Sequence, residues 1–344
     1  MPSLPHTIPR LPPQMSDFSL NPPSSPKGVS SSLLSSEGMS FPPPNPVTPL
    51  FTHYPESVVW GGFFGVFILL FLLSFITRKL ERRCTPLLHQ LRTFSPVVIR
   101  IFTGIAVLGF GSHSAFLGAE IPLTLLWPAP LAYLVSALQI SGWLLIVGLF
   151  VRSVSIFFLC IFCILAFRFS SHMAIYAFGC GTFLSLFLLG APKFSLEHLL
   201  RKLAPRSHMP LLGWRKGMTA KFGKFTPLIL RVSLGFSFIT LALYAHAIPG
   251  DPARLLALAL TPVSSTQHFL SPSFILLEVL LGVFLLVGYE IRLTSILFGT
   301  LILSVFHPTY TDFWTHILAL GVLVAVFMNG HDKYSFEGRF FKRI

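Results

Sequence analysis

Glu278 is a carboxylate inside an otherwise uncharged apolar stretch, and an acid in that setting has few chemical uses. An ionised group in hydrocarbon is costly, so such a residue is neutral, partnered, or used to move a proton or hold a polar head group. Asp312 and His316 stand four residues apart, which puts them on one helix face where an acid can orient an imidazole. His246 and His307 fall near the same end of their own segments. Together these five compose a candidate site. Glu278, His316 and Asp312 would handle protons, and His246 and His307 would contact a cofactor. Its chemistry suits a quinone head group, a metal or a small anion. The plainer reading is interfacial histidines and a structural glutamate, because His113, His172 and His268 occupy similar end positions without any acid four residues away.

Cys160 and Cys163 are three apart in one apolar segment, with Cys180 in the next. Apolar surroundings keep a thiol protonated and weakly nucleophilic, so this pair is expected to be inert. No Gly-x-Gly-x-x-Gly turn, phosphate-binding Gly-x4-Gly-Lys loop, His-Glu-x-x-His or Gly-x-Ser-x-Gly occurs, and no metal site is predicted.

The elements that must position these residues follow from composition. Of 344 residues, 53% are hydrophobic and 11% charged, with mean hydropathy +0.74. Soluble domains carry about 25% charged residues, so this composition excludes an ordinary soluble enzyme and indicates an all-α integral membrane protein. Residues 1–57 differ from the rest: 14 of the 28 prolines lie within the first 55 positions, as a Pro/Ser-rich tail expected to be disordered. A spanning helix is predicted at 58–76, since about 20 residues cross a ~30 Å hydrocarbon core. Its Gly61 and Gly65 could permit close helix contact. A basic linker follows at 77–94. Eight more spans are predicted at 96–116, 131–150, 154–170, 173–190, 226–247, 273–289, 293–307 and 312–328, with a second basic linker at 201–225. The sum is about nine transmembrane helices.

The net charge of +13 fits this map. With residue 78 on the cytoplasmic side, 21 of the 25 Lys and Arg residues fall inside, and only Arg10, Lys27, Arg168 and Arg254 fall outside. That asymmetry is the positive-inside pattern, with the N-terminus outside and the C-terminus cytoplasmic. The bilayer, including anionic lipid beside the basic 191–225 loop, accounts for the charge; no nucleic-acid partner is required.

The chain after the first span is written twice. Ser95-Pro96-Val97-Val98-Ile99-Arg100 matches Thr226-Pro227-Leu228-Ile229-Leu230-Arg231, each leading to a glycine, Gly104 or Gly235. From Gly142 to Glu197 the second copy follows at a constant offset of 140 residues, with 14 identities in 56 positions. The matched punctuation includes Gly142, Gly148 and Arg152 against Gly282, Gly288 and Arg292. Four spans per copy make the repeat parallel, related by an axis along the membrane normal. The units are 95–200 and 226–344. Arg100, Arg152, Arg231 and Arg292 read as structural anchors whose stems let the guanidinium reach the cytoplasmic surface.

Each unit resembles the DoxX family, which includes DoxD-like and MauE-like relatives. The second copy carries the pattern: Arg231-x3-Gly235, Glu278-x3-Gly282, Gly288-x3-Arg292, and the tail Gly330-x2-Lys333-Tyr334-Ser335-Phe336-Glu337. The first copy departs from it, with Leu138 in place of Glu278 and Gln139 beside it as a polar remnant. The resemblance implies two tandem four-helix membrane bundles in a bacterial cytoplasmic membrane. It also implies an anchor or quinone-facing subunit of a membrane redox assembly, acting with a partner subunit. A small-solute transporter and a non-enzymatic scaffold are the competing functions.

Overall fold

Runs of branched and aromatic apolar residues with almost no charge can satisfy their backbone only as helices, and helices dominate the structure. The computed structural model describes residues 56–122, 131–169, 173–190, 194–203, 217, 219, 221–244, 264–305 and 313–336. The proline-rich 1–55 segment lies outside the described residues. Four helical stretches are long and apolar enough to cross a membrane: Trp60–Glu81, Ser95–Ser112, Val151–Phe169 and Gly223–Leu243. Five shorter apolar helices accompany them. The outer surface carries exposed Phe64, Phe71, Trp143, Ile164 and Phe167, as an integral membrane protein facing lipid requires.

Helix α1 runs from Glu56–Arg92. The helix continues through the basic 77–94 stretch, with Pro86 inside, to Arg92. The first repeat contains α2 (Ser95–Ser112), α3 (Leu131–Val147), α4 (Val151–Phe169) and α5 (Ala177–Leu189), followed by the short surface helix α6 (Leu196–Leu203). The second contains α7 (Thr226–Tyr244), α8 (Ser264–Val287), α9 (Ile291–Val305) and α10 (Phe313–Asn329). Helix α2 stops four residues before the predicted end at 116. There the chain turns through Ser114 and Leu117, both at positive φ, into a small antiparallel pair, β1 (Ala115–Phe116) and β2 (Gly118–Pro122). Helix α8 begins nine residues earlier than the predicted 273.

Within each repeat the first two helices cross at paired glycines. A Cβ on Gly104 would fall 2.9 Å from the Gly142 carbonyl oxygen, and one on Gly142 the same distance from the Gly104 oxygen. Gly235 and Gly282 make the same crossing between α7 and α8, at 2.7 and 3.0 Å. Without side chains the backbones come into direct contact, the source of helix attraction where lipid removes the hydrophobic drive. Gly61 and Gly65 on α1 behave differently: among the described residues no neighbouring helix comes within 4 Å of a Cβ built on either, so neither is used for the close contact it could permit.

Helix α2 packs on α10, and α7 packs on α5, so each repeat's first helix meets the other's last. Gly181 on α5 receives Ser233 of α7, and the equivalent Gly321 on α10 receives Phe102 of α2. The described interface thus has two-fold pseudosymmetry. Gly235→Val is expected to destabilise the α7–α8 crossing by about 1–3 kcal/mol through overpacking against backbone that cannot yield. Gly65→Val, in open space, should be tolerated; the folded fraction on size-exclusion chromatography in detergent checks both.

Candidate functional site

The described part of the predicted constellation is small. Glu278 lies on α8 with 0% exposure. Glu278 is nine residues from the end of α8 at Val287, roughly 14 Å along the axis, and in the first turn of its apolar part, Ile275–Val287. Leu138 occupies the same position on α3 and is equally buried, so the first copy replaces the acid with a packed leucine. Gln139 does not substitute for it, since its residue is exposed on the outside of the bundle. His316 is half-buried in the first turn of α10. Asp312, His246 and His307 lie outside the described residues, and the structure says nothing about their convergence. Among the described residues no group of three His, Cys, Asp or Glu side chains could hold a metal ion.

Near the same end as His316, the indole N–H of Trp314 donates to His113 Nδ1 at 2.8 Å, joining α10 to α2. Cys160 and Cys163 are free and exposed on α4. They lie on the outward face of this apolar helix, while Phe158, Ile161, Phe162 and Leu165 take the inward face.

The arginines depart furthest from expectation. Arg100 and Arg231 do not reach the surface: they are 3% and 2% exposed. Helices α3 and α8 end in a Schellman turn, with Leu149 N–H bonded to Leu144 O at 2.9 Å and Tyr289 N–H to Phe284 O at 2.9 Å. Gly148 and Gly288 supply the positive φ of +79° and +77°. Over each glycine lies a guanidinium from the repeat's first helix. A Cβ on Gly148 would meet Arg100 Nη1 at 2.5 Å, and one on Gly288 would collide with Arg231 Nη1. The same arginines donate to the tail that follows the last helix, Arg100 Nη2 to Phe194 O at 3.0 Å and Arg231 Nη2 to Tyr334 O at 3.5 Å. Arg231 also has Asp332 Oδ1 at 3.8 Å. These cations tie first helix, turn and tail into one knot, with Nε and Nη1 of each buried without a hydrogen bond among the described residues.

Arg152 and Arg292 repeat the device one turn later. Their guanidinium groups cover Gly190 (φ +66°) and Gly330 (φ +59°), which end α5 and α10. They donate to terminal carbonyls, Arg152 Nη2 to Leu188 O at 3.5 Å and Arg292 Nε to Phe327 O at 3.4 Å. A cation at a helix C-terminus complements the dipole.

Sequence reasoning missed the polar contact that holds α1 to the second repeat. Glu290, 3% exposed, accepts hydrogen bonds from Ser74 Oγ at 2.7 Å and Arg78 Nε at 2.5 Å. Arg78 Nη2 also donates to the Tyr289 hydroxyl at 3.2 Å. One turn on, Glu81 pairs with Arg292 and with His331 Nε2 at 3.1 Å. Ser74, Arg78 and Glu81 form one α1 face, spaced by four and three residues. The signal was present in the repeat alignment: Glu290 and His331 stand where the first copy has Phe150 and Ala191. Phe150 is exposed, and no helix docks there among the described residues.

No protein-family model matches this chain, and no match is found among curated proteins or solved structures.

Proposed function

We propose that this chain is a DoxX-like membrane subunit with nine spans, acting as the anchor or quinone-facing component of a redox assembly in a bacterial cytoplasmic membrane. The fully buried Glu278, on an apolar helix in one copy of a repeat whose other copy has leucine, carries this reading. A carboxyl retained in that setting is suited to exchanging a proton with, or hydrogen-bonding, a reducible head group. The resemblance of Arg231-x3-Gly235, Glu278-x3-Gly282 and Gly288-x3-Arg292 to the DoxX pattern supports the family.

Nine spans are supported by comparing equivalent helices. At each of the four positions at least one copy reaches 17 residues, and the second position reaches 24 in α8. A stretch of 17 residues rises about 25 Å, close to a hydrocarbon core. The basic end is proposed as cytoplasmic on the positive-inside pattern, leaving the N-terminus outside.

The subunit need not turn over a substrate alone. Protein purified in mild detergent is expected to carry quinone or a partner dehydrogenase, visible by absorption spectroscopy and mass spectrometry. Glu278→Gln is expected to lower the quinone or partner retained by about tenfold, as befits loss of one charge-assisted hydrogen bond. Wild-type material that carries neither, or an E278Q protein that retains both unchanged, would falsify the reading.

A further inference from the structure

We propose that a cavity on the pseudo-two-fold axis, at the basic end of the bundle, binds a phosphate-bearing anion. The cavity has a volume of about 290 Å³ and opens between the two repeats, beside the first turns of α2 and α7 and the last turn of α10. That is at the small end of the range for ligand pockets and suits a compact group. Equivalent residues line it from both sides: Ser95 with Thr226, and Asn329 with Leu189.

This last pair breaks the symmetry and creates an unmet polar group. In one half, Asn329 Nδ2 donates to Ser95 Oγ at 2.8 Å, and Ser95 Oγ donates to Ala325 O at 3.3 Å. In the other half Leu189 replaces the asparagine. Thr226 keeps the hydroxyl of its equivalent but lacks that partner: among the described residues its Oγ1 is buried without a hydrogen bond, in a residue 4% exposed. A hydroxyl desolvated in this way is destabilising until an acceptor arrives.

The charges around it select the acceptor. Arg92, Lys224 and Lys333 line the cavity and are exposed at its rim. Lys224 Nζ rests 5.3 Å from the Phe225 ring centroid, and Phe225 stacks on the lining residue Tyr334. The carboxylate in the lining, Asp332, is already engaged by Arg231 at 3.8 Å and by the Tyr334 backbone N–H at 2.8 Å. Three rim cations facing one committed acid leave a positive field over a hydroxyl that needs an acceptor. A phosphate oxygen satisfies both. The group can belong to free phosphate or to an anionic phospholipid reaching in from the surrounding leaflet.

The test uses the full chain in nanodiscs. In phosphatidylcholine discs, inorganic phosphate is titrated while the thermal midpoint is read. In discs containing phosphatidylglycerol, retained lipid is counted by native mass spectrometry. A saturable rise in midpoint whose half-point shifts tenfold or more in Thr226→Val and in Lys333→Gln establishes free phosphate. Retained phosphatidylglycerol that the same two variants lose establishes the lipid. Lys79→Gln, an exposed basic residue of α1 away from the cavity and from the 191–225 loop, serves as the charge control and is expected to behave as wild type. Should neither phosphate titration nor lipid retention respond to T226V and K333Q, or should K79Q lower them equally, the site does not exist. Glu278→Gln is expected to leave both readouts unchanged, so this proposal and the redox reading fail separately.

Discussion

Replacing Gly288 with alanine is expected to cost about 3–5 kcal/mol of stability, the cost of breaking a buried charged contact. Two effects combine. At φ +77° a Cβ is strained by about 1–2 kcal/mol. That Cβ also collides with Arg231 Nη1 and approaches Ser335 Cβ at 2.8 Å. The guanidinium cannot swing aside, because Arg231 is 2% exposed and enclosed by Asp332 and the Tyr334 carbonyl. Gly299→Ala supplies the control: nothing lies within 4 Å of Gly299, and alanine favours helix by up to about 1 kcal/mol. Unfolding of the purified protein in detergent measures both. Adding Arg231→Leu to Gly288→Ala should destabilise by less than the sum of the single changes, since the second removes what the first displaces. Equal midpoints for the Gly288 and Gly299 variants would show that the clamp is not rigid. The same contact in the first copy, between Gly148 and Arg100, predicts a parallel loss for Gly148→Ala.

The second large effect concerns α1. Arg78→Leu leaves the Glu290 carboxylate, 3% exposed, with the Ser74 hydroxyl in place of the cation. Removing one partner of a buried pair costs about 3–5 kcal/mol. Arg78 is itself 36% exposed, so solvent screening reduces this to about 2–3 kcal/mol. Glu290→Gln in the same background removes the uncompensated charge while keeping the hydrogen bond from Ser74. The double variant is therefore expected to be more stable than Arg78→Leu alone, and a double variant that is the less stable of the two would exclude the ion pair as the docking contact. Glu290 also holds a positive φ of +46°. The equivalent Phe150 has φ +51° without a docked helix among the described residues, so this conformation belongs to the turn shared by both copies and not to the ion pair.

Helix positions were legible because apolar runs of membrane length have one backbone solution. The ends of α3, α5, α9 and α10 fall within a few residues of the predicted bounds for that reason. The start of α8 was not, because Ser264, Thr266 and Gln267 read as loop by hydropathy, yet they continue the helix. The Arg and Gly positions were recognised as paired punctuation, but their meaning was misjudged. A rule about charge and membrane sides places an arginine at an end; it does not say whether that arginine faces water or a glycine turn. Gln139, beside the aligned position, is exposed because a neighbouring position on a helix points some 100° away.

By itself the sequence determined an apolar, helical membrane chain, the location of its charges and the repeated order of glycines and arginines. These are local properties, fixed by the cost of exposing backbone or charge to hydrocarbon. Only the tertiary structure decided what the repeated residues touch. Arg231 covers Gly288, Glu290 receives α1, and Leu189 leaves the Thr226 hydroxyl without the partner that Asn329 gives Ser95. Each depends on groups more than 30 residues apart meeting within a few ångströms. Their energies come from distance and desolvation, which residue type and spacing do not encode.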